Sequence, residues 1–128
     1  MEDDVKRWIV IAGMGALLVA ASDGREQIER GTALYGEQCA SCHGARMEGQ
    51  DVAPALRSPA FASEWHGRPV ADLTWRINST MPQNAPGTLD AAQTNAIAAA
   101  ILHANDQHGD GAELPESPAA QKTLLIGQ

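Results

Sequence analysis

Residues 34–44, LYGEQCASCHG, decide how this chain folds, because they hold both of its cysteines and a histidine directly after the second. On a helix, side chains three and four positions apart lie on the same face. Cys39, Cys42 and His43 can therefore all address one flat ligand, with two thiols at its edge and one imidazole nitrogen at its centre. The spacing predicts that much of the chain is organised around a single bound group.

The pattern Cys39-x-x-Cys42-His43 is the attachment signature of c-type haem. It predicts one covalent haem c, bonded through both thiols, with His43 as a ligand of the iron. The alternatives are weaker. A structural zinc site needs about four ligands, usually two Cys/His pairs, and the sequence has no second pair. A thioredoxin-like dithiol is typical of a βαβ pattern, which is not visible here, and a Cys39–Cys42 disulfide closes too short a loop to stabilise much.

Composition supports a small domain built around a cofactor. The 128 residues are one domain's worth. Apolar residues reach 44%, but aromatics only 4%, so a large apolar plate such as haem would supply missing core volume. The net charge of −7 makes nucleic acid an improbable partner. It fits either simple solubility or orientation toward a basic patch on a partner.

The N-terminus is predicted to be a targeting segment. Lys6 and Arg7 precede a 14-residue apolar run, Trp8–Ala21, that ends in small residues. Such a run suits a signal peptide better than a membrane span, which needs about 20 residues. We expect residues 1–21 to be a signal peptide and the protein to be periplasmic. The alternative is that this segment is not cleaved and anchors the protein, and only then do we expect attachment to a membrane.

The segment after it, 22–106, is predicted to be a helical domain. Asp23 and Glu26 have the spacing of a capping box. Ile28, Gly31 and Tyr35 lie at i, i+3 and i+7 on one face of the first helix. A glycine inside a helix costs about 1 kcal/mol relative to alanine, so Gly31 predicts the close approach of another helix.

Residues 44–128 are predicted to contain loops, two further helices and a tail. The many Gly and Pro residues of 44–69 predict loops with short helical turns. A helix is expected over Val70–Ser79 after Pro69, with Val70, Leu73 and Ile77 on one face. The last helix begins after a second capping box, Asp90 with Gln93, and ends near Asn105. An acidic, Gly/Pro-rich tail, 107–128, follows, and its final apolar patch docks on the domain, docks on a partner, or is disordered.

Met81 is the candidate for the second axial ligand. His/Met ligation raises the reduction potential and suits electron transfer. Beyond the signal peptide only Met47 and Met81 remain. Met47 is four residues from His43, on the wrong side of the attachment turn. Met81 lies 38 residues downstream, in a loop stiffened by prolines. His66 is the serious rival, whereas His103 and His108 fall late on the last helix and in the tail.

The motif CASCHG at the end of a first helix, Met81-Pro82 in a loop and a final helix after it resemble the class I cytochromes c. The resemblance covers roughly residues 26–106. More narrowly, LYG before the motif, Pro59-Ala60-Phe61 with Trp65, and residues 80–87, TMPQNAPG, are similar to small cytochromes associated with quinoprotein, PQQ-dependent, alcohol dehydrogenases.

The resemblance implies an all-α cytochrome c fold, in which the first and last helices cross with Gly31 and Tyr35 at the crossing. It also implies that the Pro54 carbonyl accepts a hydrogen bond from His43. The family often places an aromatic on the last helix, where this chain has Ala99-Ala100. That predicts a looser crossing, or one filled by Tyr35 and Trp75. Trp65 and Trp75 are both expected to be packing residues around the haem.

The leading hypothesis is a periplasmic monohaem electron carrier rather than an enzyme, because no nucleophile–base pair or carboxylate dyad stands out. Its partners would be redox proteins, with a quinoprotein dehydrogenase as donor and an oxidase or another cytochrome as acceptor. The alternative is a haem enzyme or ligand sensor in which Met81 is not bound and the sixth iron position is open. A thiol oxidoreductase without haem is the third reading.

Overall fold

The computed structural model describes residues 23–128, so the predicted signal segment lies outside the described residues. Helices are the only regular elements in this range, with two isolated β-bridges. None of these helices is long and apolar enough to span a membrane. The all-α prediction is confirmed. The six helices are α1 Arg25–Gln38, α2 Ala40–His43, α3 Ala60–Trp65, α4 Val70–Thr80, α5 Ala91–Ala104 and α6 Pro118–Thr123.

The first and last long helices, α1 and α5, cross at Gly31. The backbone of α1 at Gly31 lies against the Ala96 carbonyl and the Ala100 side chain, leaving no room for a Cβ atom. Small residues on both helices therefore let the axes approach closely, which confirms the expectation at Gly31. The crossing is not loose, and Trp75 does not fill it, because its side chain is 65% exposed. Trp75 is therefore not part of the protein core, and its packing around the haem stays a prediction.

The two predicted capping boxes differ in outcome. The Asp90–Gln93 box at the start of α5 is formed, with Gln93 N donating to Asp90 Oδ1 at 2.7 Å and Asp90 N to Gln93 Oε1 at 2.9 Å. The box at α1 is not. Gly24, in the left-handed region at φ 73°, is the N-cap, and Asp23 accepts a hydrogen bond from Arg25 N instead. A glycine able to adopt positive φ displaces the cap by one residue.

Helix α4 begins after Pro69 and buries the predicted face, Val70, Leu73 and Ile77. It ends at Thr80. Met81 N still donates to the Ile77 carbonyl at 3.0 Å, but Met81 is itself extended at φ −121°, ψ 148°. The residue before a proline disfavours helical backbone, so Pro82 explains why the helix stops here.

The segment 107–128 packs on the helices. Ile126 is fully buried and Leu114 is 3% exposed. The end of the tail runs antiparallel to residues 67–70: Gly67 N donates to the Ile126 carbonyl, and Ile126 N to the Arg68 carbonyl, both at 2.9 Å. Of the three alternatives for the final apolar patch, docking on the domain is the one that the structure shows.

Two buried glutamines fix the tail. Gln27 of α1 exchanges hydrogen bonds with the backbone of Leu114, accepting at 2.8 Å and donating at 3.3 Å. Gln121 of α6 accepts from Thr74 Oγ1 at 2.7 Å and donates to Asn95 Oδ1 at 3.0 Å. Both side chains are 4% exposed. Because buried polar groups need partners, these contacts fix how the tail lies on α1, α4 and α5.

Candidate haem-binding site

The two thiols and the histidine lie on one turn of helix, as predicted. Cys39 follows α1 and caps α2; its N–H donates to the Tyr35 carbonyl at 2.9 Å, and His43 N donates to the Cys39 carbonyl at 2.9 Å. Cys39 is half-buried, Cys42 is exposed, and neither is in a disulfide. The short helix therefore presents two free thiols beside one imidazole.

The environment of Cys39 argues against a reactive dithiol. Burial, reinforced by the neighbouring Cys42, raises the pKa of the Cys39 thiol to about 11. A redox-active cysteine instead has a pKa lowered into the range of roughly 3.5–7.5. Cys39 therefore stays a protonated thiol near neutral pH. Residues 23–128 also contain no cluster of three or more His, Cys, Asp or Glu side chains that could hold a metal ion, so the zinc alternative gains no ligands.

His43 is held by the carbonyl that the resemblance implies. Its Nδ1 lies 2.8 Å from the Pro54 oxygen, and the residue is 7% exposed. A carbonyl only accepts hydrogen bonds, so Nδ1 carries the hydrogen and the lone pair of the neutral ring is on Nε2. Metal-bound histidines commonly donate their other ring N–H in this way. The donor set and its tautomer fit a haem iron.

The loop after His43 is braced from both sides. The Tyr35 hydroxyl donates to the Gly44 carbonyl at 2.6 Å, and Gly49 N donates to the His43 carbonyl at 2.7 Å. Glu48 accepts from Arg46 N at 2.8 Å, and backbone N–H groups of Glu48 and Arg46 lower the pKa of its carboxyl. These contacts fix the path of the chain from the attachment turn toward Pro54.

Met81 lies on a separate element from the attachment turn, directly after α4. It is half-buried, and it opens a loop that runs to the N-cap of α5, Asp90. Met47, in contrast, packs against the apolar core and has φ 60°, four residues from His43. Met81 therefore begins a connection between two helices that are themselves fixed by packing.

Comparisons with known proteins identify the family and the fold of this chain. Residues 26–99, more than half of the chain, match the family described as cytochrome c oxidase, cbb3-type, subunit III. The chain belongs to this family of c-type cytochrome domains. No curated protein matches it. A solved structure with the same fold is the sulfane dehydrogenase SoxCD from Paracoccus pantotrophus, with a TM-score of 0.54 and 20% identity. The match covers 84% of this chain and 61% of that one.

In this cytochrome domain the remaining histidines have other surroundings. His66 Nδ1 lies 2.7 Å from Gln107 Oε1, which occupies one of its ring nitrogens in the tail contact. His103 is exposed on α5. His108 has both ring nitrogens buried without a hydrogen-bond partner in the structure. Engagement of His66 by the tail weakens its claim as an axial ligand.

The aromatic residues of the cytochrome domain divide into two kinds. Trp65 is 5% exposed, stacks on Phe61 at a centroid distance of 6.3 Å and lies under the Arg68 guanidinium at 4.3 Å. Trp75, with Arg76, lines an open cleft of about 210 Å³ beside these residues. Burial in the protein core is confirmed for Trp65, whereas packing of Trp75 around the haem stays a prediction.

Two asparagines near the site have no counterpart among the sequence predictions. Asn105, the C-cap of α5, accepts from Ser58 N at 2.6 Å and donates to the Leu56 carbonyl at 2.9 Å. Asn78, on the last turn of α4, donates to the Leu89 carbonyl at 2.9 Å. Both tie loops that contain or adjoin the predicted ligands to a helix. In the sequence, the one feature that could have indicated these contacts is the position of both asparagines near predicted helix ends. This feature is weak, because asparagine is common there for its hydrogen bonds to neighbouring backbone groups.

Proposed function

We propose that this protein is a monohaem electron carrier with one haem c attached through Cys39 and Cys42, and with His43 and Met81 as axial ligands. The observation that carries the proposal is the His43 Nδ1–Pro54 contact at 2.8 Å within a Cys-x-x-Cys-His turn. It supports a preset ligand histidine rather than a core histidine. Membership in a c-type cytochrome family supports an electron carrier over an enzyme.

The residues around the attachment turn keep the imidazole in one orientation. When bound, haem supplies a one-electron couple at its iron. Pro54 holds the His43 ring and makes Nε2 a stronger donor, because a carbonyl that accepts the Nδ1 hydrogen raises ligand basicity. Tyr35 and Glu48 hold the intervening loop. Fixed ligands lower the structural change between oxidation states, which suits a carrier.

Whether Met81 binds the iron distinguishes an electron carrier from a haem enzyme or ligand sensor with an open sixth position. A thioether ligand raises the potential, and Met81 together with His43 would hold the iron from both sides, leaving no iron site for a substrate. Support comes from its place at the end of a packed helix, half-buried and followed by a proline. In the alternative, a haem enzyme or ligand sensor, Met81 would not bind and the sixth position would be open.

Spectra of the haem-loaded protein test the assignment. Wild type should show the methionine–iron charge-transfer band when oxidised, and Met81→Ala should lose it while the reduced haemochrome spectrum is unchanged. Met47→Ala is the matched control and should keep the band. A band that persists in Met81→Ala would contradict the assignment. A high-spin ferric spectrum in wild type, with carbon monoxide binding to the reduced form, would favour the open-site alternative.

We also propose that the carrier is periplasmic and takes electrons from a dehydrogenase, passing them to an oxidase or another cytochrome. A quinoprotein alcohol dehydrogenase is the donor that the sequence resemblance suggests. Residues 23–128 carry 13 acidic and 7 basic side chains, a net charge of −6, which suits a partner with a basic docking surface. The intact mass of the exported protein tests the export step: cleavage after Ala21 and one haem are expected.

A further inference from the structure

We infer that Asn78 is a positioning residue that closes the loop carrying Met81; this inference rests on the proposed function. Asn78 lies on the last turn of α4, three residues before Met81. Its Nδ2 donates to the Leu89 carbonyl at 2.9 Å and reaches Thr94 Oγ1 at 3.2 Å. One side chain thus joins α4, which ends directly before Met81, to the far end of the loop.

The groups that Asn78 reaches are themselves fixed. Leu89 is 6% exposed and Thr94 2% exposed. Leu89 directly precedes Asp90, whose capping box fixes the start of α5. A carbonyl cannot donate, so the amide nitrogen of Asn78 must face Leu89. The contact therefore joins the end of α4 to a fixed part of the fold.

Besides the burial of Leu89 in the core, hydrogen bonds do little else to hold the loop. Within residues 81–89 the hydrogen bonds are local turns, Ala85 N to the Pro82 carbonyl at 2.9 Å and Thr88 Oγ1 to the Ala85 carbonyl at 2.7 Å. Among the hydrogen bonds of residues 23–128, those of Asn78 are the ones that join α4 to the loop's far end or to α5. Loss of the Asn78 donor should therefore let the two ends of the loop separate in a larger fraction of molecules.

This separation has a chemical consequence at Met81. A neutral thioether competes with any external ligand for the sixth position, and the apparent affinity of that ligand scales with the fraction of molecules in which Met81 is displaced. A typical net hydrogen bond is worth about 0.5–1.5 kcal/mol, a factor of about 2–12 in a population. Imidazole should therefore bind the ferric iron about 2- to 12-fold more tightly when the Asn78 donor is removed.

Imidazole titration of the oxidised, haem-loaded protein tests this inference. Asn78→Ala and the nearly isosteric Asn78→Asp, which loses the amide donor, should both bind imidazole more tightly than wild type. Thr74→Val is the matched control. It breaks the buried contact with Gln121 on another part of α4, so it should lower the unfolding free energy and leave imidazole affinity unchanged. If Asn78→Ala does not take up haem, Asn78→Ser replaces it.

Three outcomes would overturn the inference. Unchanged imidazole affinity in both Asn78 variants would remove the loop-closing role. An equal rise of imidazole affinity in Thr74→Val would mean that Asn78 only stabilises the fold in general. If Asn78→Ala binds imidazole more tightly but Asn78→Asp binds it like wild type, the volume of the side chain matters and its amide donor does not. Wild-type protein without the methionine charge-transfer band would instead refute the proposed function, and the inference with it. The spectrum, recorded first, keeps these failures distinguishable.

Discussion

At the scale of single residues, Tyr35 couples the attachment turn to the core. Its side chain is 4% exposed, and its hydroxyl donates to the Gly44 carbonyl at 2.6 Å. Burial is the main cause that raises the pKa of the Tyr35 phenol from 10.0 to about 12, with smaller contributions from the Cys39 thiol, where it is free and ionised at alkaline pH, and from the Glu48 carboxylate. The folded state therefore favours the neutral phenol, which is the form that can donate to Gly44.

Tyr35→Phe should lower the unfolding free energy by about 1–3 kcal/mol, because the buried Gly44 carbonyl loses its partner. The pH profile should change as well. Since the folded pKa is raised, the stabilisation is fully present below the unfolded pKa of 10.0 and is lost as pH rises through about 12. Urea unfolding followed by circular dichroism between pH 7 and pH 12 should show a steeper alkaline fall in wild type than in Tyr35→Phe. Parallel profiles would contradict this, since Tyr35 is the one tyrosine of the chain.

At the scale of helices, the α1–α5 crossing depends on one of the two glycines of α1 and not on the other. A Cβ at Gly31 would collide with the backbone of Ala96, whereas one at Gly36, on the same helix, would meet nothing within 4 Å. Gly31→Ala should therefore force the helices apart and cost about 1–3 kcal/mol. Gly36→Ala should stabilise by up to about 1 kcal/mol through helix propensity alone. Thermal unfolding checks both, and a stabilising Gly31→Ala would refute the tight crossing.

The helices also show which features a sequence can predict. Motifs that act within one turn of chain, such as the Cys39–His43 spacing and the Asp90–Gln93 box, appear in the structure as predicted. The Asp23 cap fails because Gly24 offers a competing local conformation. Asn78 was out of reach, since its partner is 11 residues away and the contact exists only after α4 and α5 have packed.

At the scale of the whole molecule, the tail completes the core that the aromatic-poor sequence leaves thin. Its composition, rich in Gly, Pro and acids, carries no periodic pattern, so its docking was not predictable from local signals. What fixes it is complementarity to surfaces made by α1, α4 and α5, through Gln27, Gln121 and Ile126. Because it pairs with residues 67–70, at the start of α4, the tail contacts the helix that directly precedes Met81.

Ile126→Ala and Leu125→Ala test whether the tail contributes to the core or only lies beside it. Ile126 is fully buried and Leu125 is 40% exposed. Truncation of Ile126 should cost about 2–5 kcal/mol of unfolding free energy, as is usual for a large buried aliphatic side chain, whereas Leu125→Ala should change it by about 0.5 kcal/mol or less. Urea unfolding of the haem-loaded protein measures both, and the charge-transfer band reports whether Met81 stays bound. Equal effects of the two substitutions would mean that the tail does not dock through Ile126, and the core would then close without it.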